Sequence, residues 1–339
     1  MNCPLVSVIM PVYNSSRYLK DAINSILSQS YKNIELVIVN DGSTDLSRNI
    51  ILSYSDPRIR LFENERNSGI VYSRNKGLQE ARGKYIANLD SDDIALPERI
   101  EKQVNFLENH SDYGMCGTFF FTMDHNGKLL KKRQFPTNHR NIRTFLILGN
   151  CFCNSTVMIR AKLAKELKYI EQYYVGEDYE LFYRISKITK VGNLPFYGSC
   201  YREHDSSISV AKLNDMLAIV NKINDQILTD LNIRVSEMDM EIHRNFINSN
   251  IVFFKSGVRL KELESWLIKF YTIIKSKNGF DHKLIYKLIT DKWIVIAYNA
   301  RHYQKLFYNR IFQLNKTSYL IRLANRIFGK VASQIRVMK

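Results

Sequence analysis

Three carboxylates fall within four residues at Asp90, Asp92 and Asp93, with only Ser91 between them. Like charges this close raise one another's pKa, so the cluster is strained unless a cation sits in it. Hard carboxylate oxygens suit Mg²⁺ or Mn²⁺. A solvated turn that caps the helix near Pro97 accounts for the same acids, because Asp is favoured in turns and caps. Two more carboxylates, Glu177 and Asp178, head an apolar stripe of Leu181, Phe182, Ile185 and Ile188. That spacing is helical and puts both acids in the first turn, where they also complement the helix dipole. His204 follows in the polar loop Tyr201-Arg202-Glu203-His204-Asp205. A lone loop histidine is more often structural than a ligand.

The elements that must position these groups are legible as apolar runs. Leu5 to Val12 is a β-branched strand that Pro11 closes, with Tyr13-Asn14-Ser15 as its loop. Helix one is expected from about Arg17 to Gln29. Ile34 to Val39 is a second buried strand, ending in Asn40-Asp41-Gly42-Ser43-Thr44-Asp45. Arg58 to Phe62 is a third, and Asn67-Ser68-Gly69 opens a helix carrying Arg74 and Asn75. Tyr85 to Leu89 then runs straight into the acid cluster. Strands alternating with helices at this spacing predict an α/β fold with a doubly wound, mainly parallel sheet. Ligands of such sheets gather beyond the carboxyl ends of the strands. Three of those ends carry polar loops here, at Tyr13-Asn14, Asp41 and Asp90 to Asp93. No G-x-G-x-x-G follows the first strand, which disfavours a dinucleotide-binding Rossmann domain. Pro97 to Asn109 reads as an amphipathic helix, and Met115 to Met123 as a strand, with Asp124-His125-Asn126-Gly127 as a hairpin turn. Ser155 to Arg160 and Val191 to Cys200 read as strands.

The chain has 339 residues, enough for one large domain or two modest ones. From about Lys212 glycine and proline nearly vanish and helical periodicity takes over. The expected organisation is an α/β domain over 1–210 and a smaller, all-helical, basic region over 211–339. Helices are expected at roughly 212–231, 237–255, 259–276, 283–312 and 317–336. The five cysteines are odd in number and scattered, as reduced thiols in a cytosolic protein are, and Cys151 and Cys153 are weak as a metal pair. The amino terminus carries no basic n-region, so no signal peptide is expected. No apolar run approaches the roughly 18 residues of a membrane span.

Net charge is +16 and unevenly placed. From Asp205 onward there are 22 Lys+Arg against 11 Asp+Glu, and after Asp291 ten Lys+Arg and no acid. Such a block points to a polyanionic partner, either nucleic acid or an anionic membrane surface. Taken as a helix, Ser318 to Val337 puts Leu320, Leu323, Ala324, Ile327, Phe328, Val331 and Ile335 along one side, and Arg322, Arg326 and Lys330 on a separate stripe. This is the pattern of an interfacial helix, and equally of a helix packed on the protein with its charges in water.

With these pieces placed, the first 210 residues resemble the family 2 inverting glycosyltransferases of the GT-A fold. The resemblance rests on Val8-Ile9-Met10-Pro11-Val12-Tyr13-Asn14, Val39-Asn40-Asp41-Gly42-Ser43-Thr44-Asp45, Asn67-Ser68-Gly69 with Ser73-Arg74-Asn75-Lys76-Gly77, Asp90-Ser91-Asp92-Asp93, Gly176-Glu177-Asp178, and Tyr201-Arg202-Glu203-His204 with Ser207 and Ser209. Each is weak alone, and together they cover some three-fifths of the chain in the family's order. The resemblance implies that Asp41 hydrogen-bonds the base of a nucleotide-sugar, with Pro11, Tyr13 and Asn14 lining the base pocket and Arg74 reaching the nucleotide. It implies Asp90 near the ribose or sugar and Asp92 on a divalent metal, Mn²⁺ or Mg²⁺. His204 would stand near metal and diphosphate, and Asp178 would be the catalytic base. The implied donor is a UDP-hexose or UDP-N-acetylhexosamine, and the implied acceptor a hydroxyl of a glycan or lipid-linked acceptor in cell-surface polysaccharide synthesis. Processive members carry a Q-x-x-R-W element after the base. None occurs here, so a long homopolymer is not expected.

Lipid-linked acceptors of bacterial members lie at the cytoplasmic face, which turns the basic block toward an anionic membrane surface rather than nucleic acid. The implied enzyme is cytoplasmic and peripheral on the inner face of the cell membrane. Two other classes compete. A nucleotidyltransferase would need a glycine-rich, Arg- or Lys-bearing loop after strand one, and Tyr13-Asn14-Ser15-Ser16 is not that. A non-enzymatic binding module leaves the three converging acid loops unexplained.

Overall fold

The two strands at the centre of the molecule are apolar on both faces. Every residue of β1 (Val6–Val12) and β2 (Ile34–Asn40) is buried, as strands covered on both sides must be. The computed structural model describes residues 3–204, 211–306, 309–311, 319 and 322–323. The remaining strands are β3 (Ile59–Glu63), β4 (Tyr85–Asn88), β5 (Ile94–Ala95), β6 (Tyr113–Met123), β7 (Leu129–Arg133), β8 (Met158–Arg160) and β9 (Lys190–Arg202). They form a nine-stranded sheet in the order β3-β2-β1-β4-β8-β6-β9-β5, with β7 added to β6. The β3-β2-β1-β4 half is parallel throughout, the α/β arrangement expected from the alternating elements. Beyond β4 the sheet is mixed, with β8 antiparallel to β4 and β6, and β6 parallel to β9.

The helices crossing between the parallel strands are α1 (Leu19–Leu27), α2 (Ser47–Leu52) and α3 (Ile70–Glu80). α1 buries Leu19, Ala22, Ile23 and Ile26, and these join Val8, Met10, Leu36 and Ile38 in one core cluster. Gly77 of α3 lets that helix close on the sheet, since a Cβ there would stand 2.5 Å from Ile9 Cγ2. α4 (Arg99–Asn109), α5 (His139–Leu146), α6 (Ala161–Leu167) and α7 (Glu177–Ile188) come next along the chain. α8 (Leu213–Asp230), α9 (Glu237–Ile247), α10 (Gly257–Lys275) and α11 (His282–Asn299) follow.

Two compact units result, one of Met1–Ile142 with Asn150–Ile219, the other of Arg143–Gly149 with Val220–Lys339. The second has its own core, with Trp266, Phe270, Trp293 and Ile289 fully buried.

Several expectations need correction. β1 ends at Val12, as expected, and begins at Val6 rather than Leu5; it runs through Pro11 rather than stopping at it. Proline is tolerated there because β4 pairing ends at Ile9, so no ladder bond is lost for want of an N–H. Residues 155–160 are split between a 3₁₀ turn (Asn154–Thr156) and the short β8. The long helix expected over 283–312 ends at Asn299 and gives way to a 3₁₀ turn, Tyr303–Leu306. The helix expected over 237–255 likewise stops at Ile247. Of the helix expected over 317–336 only 319 and 322–323 are described, all three helical, and Ser207 and Ser209 lie outside the described residues. All five cysteines are free thiols.

Candidate active site

Because β1, β2 and β4 are parallel neighbours, their carboxyl ends open on one edge, and the register pairs Val12 with Asn40 and Ile9 with Asn88. The loop after β1 is tied to the loop after β2. Asn14 adopts a left-handed backbone (φ 48°), and its Oδ1 accepts from the Thr44 N–H at 2.8 Å. Its own N–H donates to Ser43 Oγ at 3.0 Å. Tyr13 is 46% exposed on this edge, which leaves its ring free to face a ligand.

Asp41 is buried, and its carboxylate is held by three donors. Asn64 Nδ2 (2.7 Å) and the Ser68 N–H (2.9 Å) donate to Oδ1, and the Gly69 N–H (2.9 Å) donates to Oδ2. A carboxylate offers about four acceptor positions. One on Oδ2 is therefore left over, while the side chain cannot turn. Gly42 makes this loop possible. Its φ is +66°, and a Cβ would stand 2.6 to 2.8 Å from the backbone of Arg66 and Asn67.

The acid cluster is sorted by its surroundings. Asp90 Oδ1 accepts from Arg74 Nη2 and from Asn154 Nδ2, both at 3.0 Å, and its N–H donates to Ser155 Oγ. Asp92 Oδ2 lies 2.8 Å from His204 Nε2. Asp93 is fully buried, and its Oδ1 accepts the Arg202 N–H at 2.8 Å. Burial, then the charges of Asp92 and Asp90, pushes Asp93 well above the usual carboxylate range. Asp93 is thus an inward anchor, and Asp90 and Asp92 face the edge.

Arg74 joins this cluster to α7. Its Nε is 3.2 Å from Glu177 Oε1, while its Nη2 reaches Asp90. Burial opposes its charge, but Asp90 and Glu177 outweigh burial and hold Arg74 firmly protonated. Glu177 is buried, and this outweighs the attraction of Arg74 and lifts its pKa to about 7. Asp178, only partly covered, takes Asn150 Nδ2 on Oδ2 at 3.3 Å and its Oδ1 accepts the Tyr179 N–H at 2.7 Å. Burial also raises its pKa, with Arg74 pulling the other way. Gly176 supplies the left-handed turn (φ 84°) that starts α7.

The sequence-derived residues Tyr13, Asn14, Asp41, Arg74, Asp90, Asp92, Asp178 and His204 thus belong to one edge of the α/β unit, while Pro11 is buried within β1. Arg74 is turned inward onto two carboxylates. Sequence reading missed the residues that orient them: Asn64, Asn150, Asn154, Ser155 and above all Arg202. Asn and Ser within loops carry no periodic signal, and Arg202 passes for a surface cation although it is 2% exposed. Among the described residues, no three His, Cys, Asp or Glu side chains are grouped so as to hold a metal ion by themselves. No helix among them is long and apolar enough to cross a membrane.

Comparison with known proteins follows this geometry. A family model described as glycosyl transferase family 2 matches residues 7–168. An uncharacterized glycosyltransferase of Haemophilus influenzae is 33% identical over 240 residues, covering 67% of this chain and 74% of the relative. The chain belongs to glycosyl transferase family 2. It is therefore a transferase. The putative glycosyltransferase EpsE of Bacillus subtilis is 41% identical over 173 residues, 49% of this chain and 59% of EpsE. The crystal structure of S. aureus TarS 1-349 in complex with UDP-GlcNAc superimposes with a TM-score of 0.57 at 21% identity, covering 88% of this chain and 89% of that one. At that identity the likeness is one of fold.

Proposed function

We propose that this family 2 enzyme moves a sugar from a UDP-sugar, a UDP-hexose or UDP-N-acetylhexosamine, to a hydroxyl of a glycan or lipid-linked acceptor, with inversion at the anomeric carbon. The observation that carries this reading is the placement of Arg74 between Asp90 and Glu177. It sets the acid cluster of the donor side against the helix turn that bears Asp178. The free acceptor position on Asp41 suits an N–H of a pyrimidine base, with Tyr13 and Asn14 beside it and Pro11 behind them in β1. The fold shared with a UDP-GlcNAc-bound structure supports the same donor class.

The donor set fits a divalent metal in company with substrate. Asp92 and His204 offer one carboxylate and one imidazole already in contact, with Asp90 beside them. Mg²⁺ and Mn²⁺ commonly bind through one or two carboxylates and substrate phosphates rather than an all-protein cage. Bound there, the metal would neutralise charge on the departing diphosphate. The protein's own part is to bind the donor and to take a proton. As the acceptor oxygen bonds to the anomeric carbon, the bond to the diphosphate oxygen breaks and the hydroxyl proton passes to Asp178. A single in-line step of this kind needs no covalent enzyme intermediate.

The acid-free block after Asp291 supports an anionic membrane surface as partner, and with it a peripheral place at the cytoplasmic face. The decisive test is release of UDP from a panel of UDP-sugars with an added acceptor, with Mn²⁺ and with EDTA, followed by NMR assignment of the product anomer. Full turnover in EDTA would remove the metal from this reading, and a retained anomeric configuration would remove the single-step mechanism.

A further inference from the structure

The hairpin of β6 and β7 presents a surface that the transfer reaction does not use. All residues from His125 to Gln134 are exposed, and the run His125-Asn126-Gly127-Lys128-Leu129-Leu130-Lys131-Lys132-Arg133-Gln134 holds four Lys and Arg and no acid. β7 is exposed along its whole length, on both faces. Leu129 is 53% and Leu130 47% exposed. Lys131, Lys132 and Arg133 make no salt bridge among the described residues; Lys132 lies over the Tyr197 ring. Lysines on an edge strand can serve merely to block strand-to-strand aggregation. Two adjacent exposed leucines work against that purpose. They also add nothing to the capture of a soluble polyanion. Leucines set among cations are what an interfacial segment presents to a lipid leaflet.

The hairpin is also rigidly tied to the acid loop. Asp124 closes its turn, with Oδ1 accepting the N–H groups of Asn126 (2.9 Å) and Lys128 (3.0 Å). The buried Arg202 donates from Nη1 to the carbonyls of Asp124 and His125 at 3.4 Å, and from Nε to the carbonyl of Asp92 at 2.8 Å. One guanidinium therefore braces both the hairpin turn and the loop that carries Asp92.

We infer that the β6–β7 hairpin docks on an anionic phospholipid surface, with Leu129 and Leu130 entering the interface and Lys128, Lys131, Lys132 and Arg133 over the headgroups. Docking in this way holds the acid loop beside the leaflet, where a lipid-linked acceptor would be met; only that last consequence rests on the function proposed above.

The test is co-sedimentation of the full chain with phosphatidylcholine vesicles, with and without phosphatidylglycerol, at low and high salt. Three variants accompany it: K131Q/K132Q, L129S/L130S, and the tail variant R322Q/R326Q/K330Q. The lysine pair should lose roughly tenfold in affinity for anionic vesicles, and the loss should shrink at high salt. The leucine pair should lose affinity at both salt concentrations. UDP release with a water-soluble acceptor and no vesicles should be unchanged in both hairpin variants, showing an intact fold. Absence of binding to anionic vesicles overturns the inference. So does binding that only the tail variant weakens. Soluble polyphosphate that competes fully, with L129S/L130S binding vesicles like the parent chain, would mark the hairpin as a polyanion site instead.

Discussion

Arg202 donates from Nε to the backbone carbonyl of Asp92 at 2.8 Å, while its own N–H is received by Asp93 Oδ1 at the same distance. The residue two positions on, His204, reaches the Asp92 carboxylate. The end of β9 and the acid loop after β4 are therefore one assembly, although 110 residues separate them in sequence. The Tyr18 ring, 4.5 Å beneath the guanidinium, completes the seat.

Arg202→Lys keeps the charge but loses the planar fork that serves Asp92, Asp124 and His125 together. Mn²⁺ affinity in the presence of UDP should fall about tenfold or more, the usual cost of disturbing a partner that orients a metal ligand. An EPR titration of Mn²⁺ reads this directly, apart from activity. Unchanged Mn²⁺ affinity with a lowered melting temperature would show that Arg202 holds the hairpin alone.

Gly42→Ala should destabilise the fold by about 1–2 kcal/mol from its left-handed backbone alone. More should be lost because the new Cβ meets the Arg66 and Asn67 backbone at 2.6 to 2.8 Å. Relief of that contact moves the segment that supplies the Ser68 and Gly69 N–H groups to Asp41. UDP affinity should therefore weaken along with the urea midpoint. A variant that unfolds earlier yet binds UDP as the parent does would separate the Gly42 turn from the Asp41 pocket.

What could be read from sequence follows from how local its signal is. β1, β2 and β4 were legible because buried parallel strands are continuous apolar runs, and their polar ends announce the edge. α7 was legible from the spacing of Leu181, Phe182 and Ile185. β7 was not, since Leu129-Leu130-Lys131-Lys132-Arg133 lacks the alternation of a half-buried strand and every residue of it is exposed. α5 was missed because only two of its three buried positions, Ile142 and Leu146, are apolar; the third is Thr144. Within the site, the acids announced themselves by clustering. Their orienting partners did not, because Asn64, Asn150 and Arg202 act across 23, 28 and 110 residues. The inward turn of Arg74 onto Glu177 is likewise a product of packing rather than of pattern.

Glu177→Gln tests the balance between burial and ion pairing. A carboxyl whose folded pKa is raised stabilises the fold while protonated and loses that contribution as pH rises through the folded value. For Glu177 the window runs from the ordinary range of about 4.5 up to about 7. Glutamine keeps the shape and never ionises. The stability of the variant relative to the parent should be near parity at pH ~4 and shift in favour of the variant as pH rises toward about 7, then level off. Urea unfolding at both ends of that window checks it. A shift the other way would mean that the Arg74 pair outweighs burial.

Asp178→Asn tests the base. The amide oxygen can still accept the Tyr179 N–H, and Asn150 can turn its own amide to meet the new donor, so the α7 turn should keep its form. What is lost is the proton acceptor. Turnover should drop on the order of 10²–10⁴-fold, the range typical of a general base, while UDP-sugar affinity measured by calorimetry stays close to that of the parent. The parent's pH profile carries the same assignment. A base works only when deprotonated, so activity is present above its pKa and lost as pH falls through it. Burial holds the Asp178 pKa above the ordinary value, so the acid limb of kcat/KM should fall at a higher pH than the ~3.9 of an unperturbed aspartate. In the Asn variant, residual turnover should lose that limb. If donor affinity collapses while residual turnover stays high, Asp178 binds the donor and another group takes the proton.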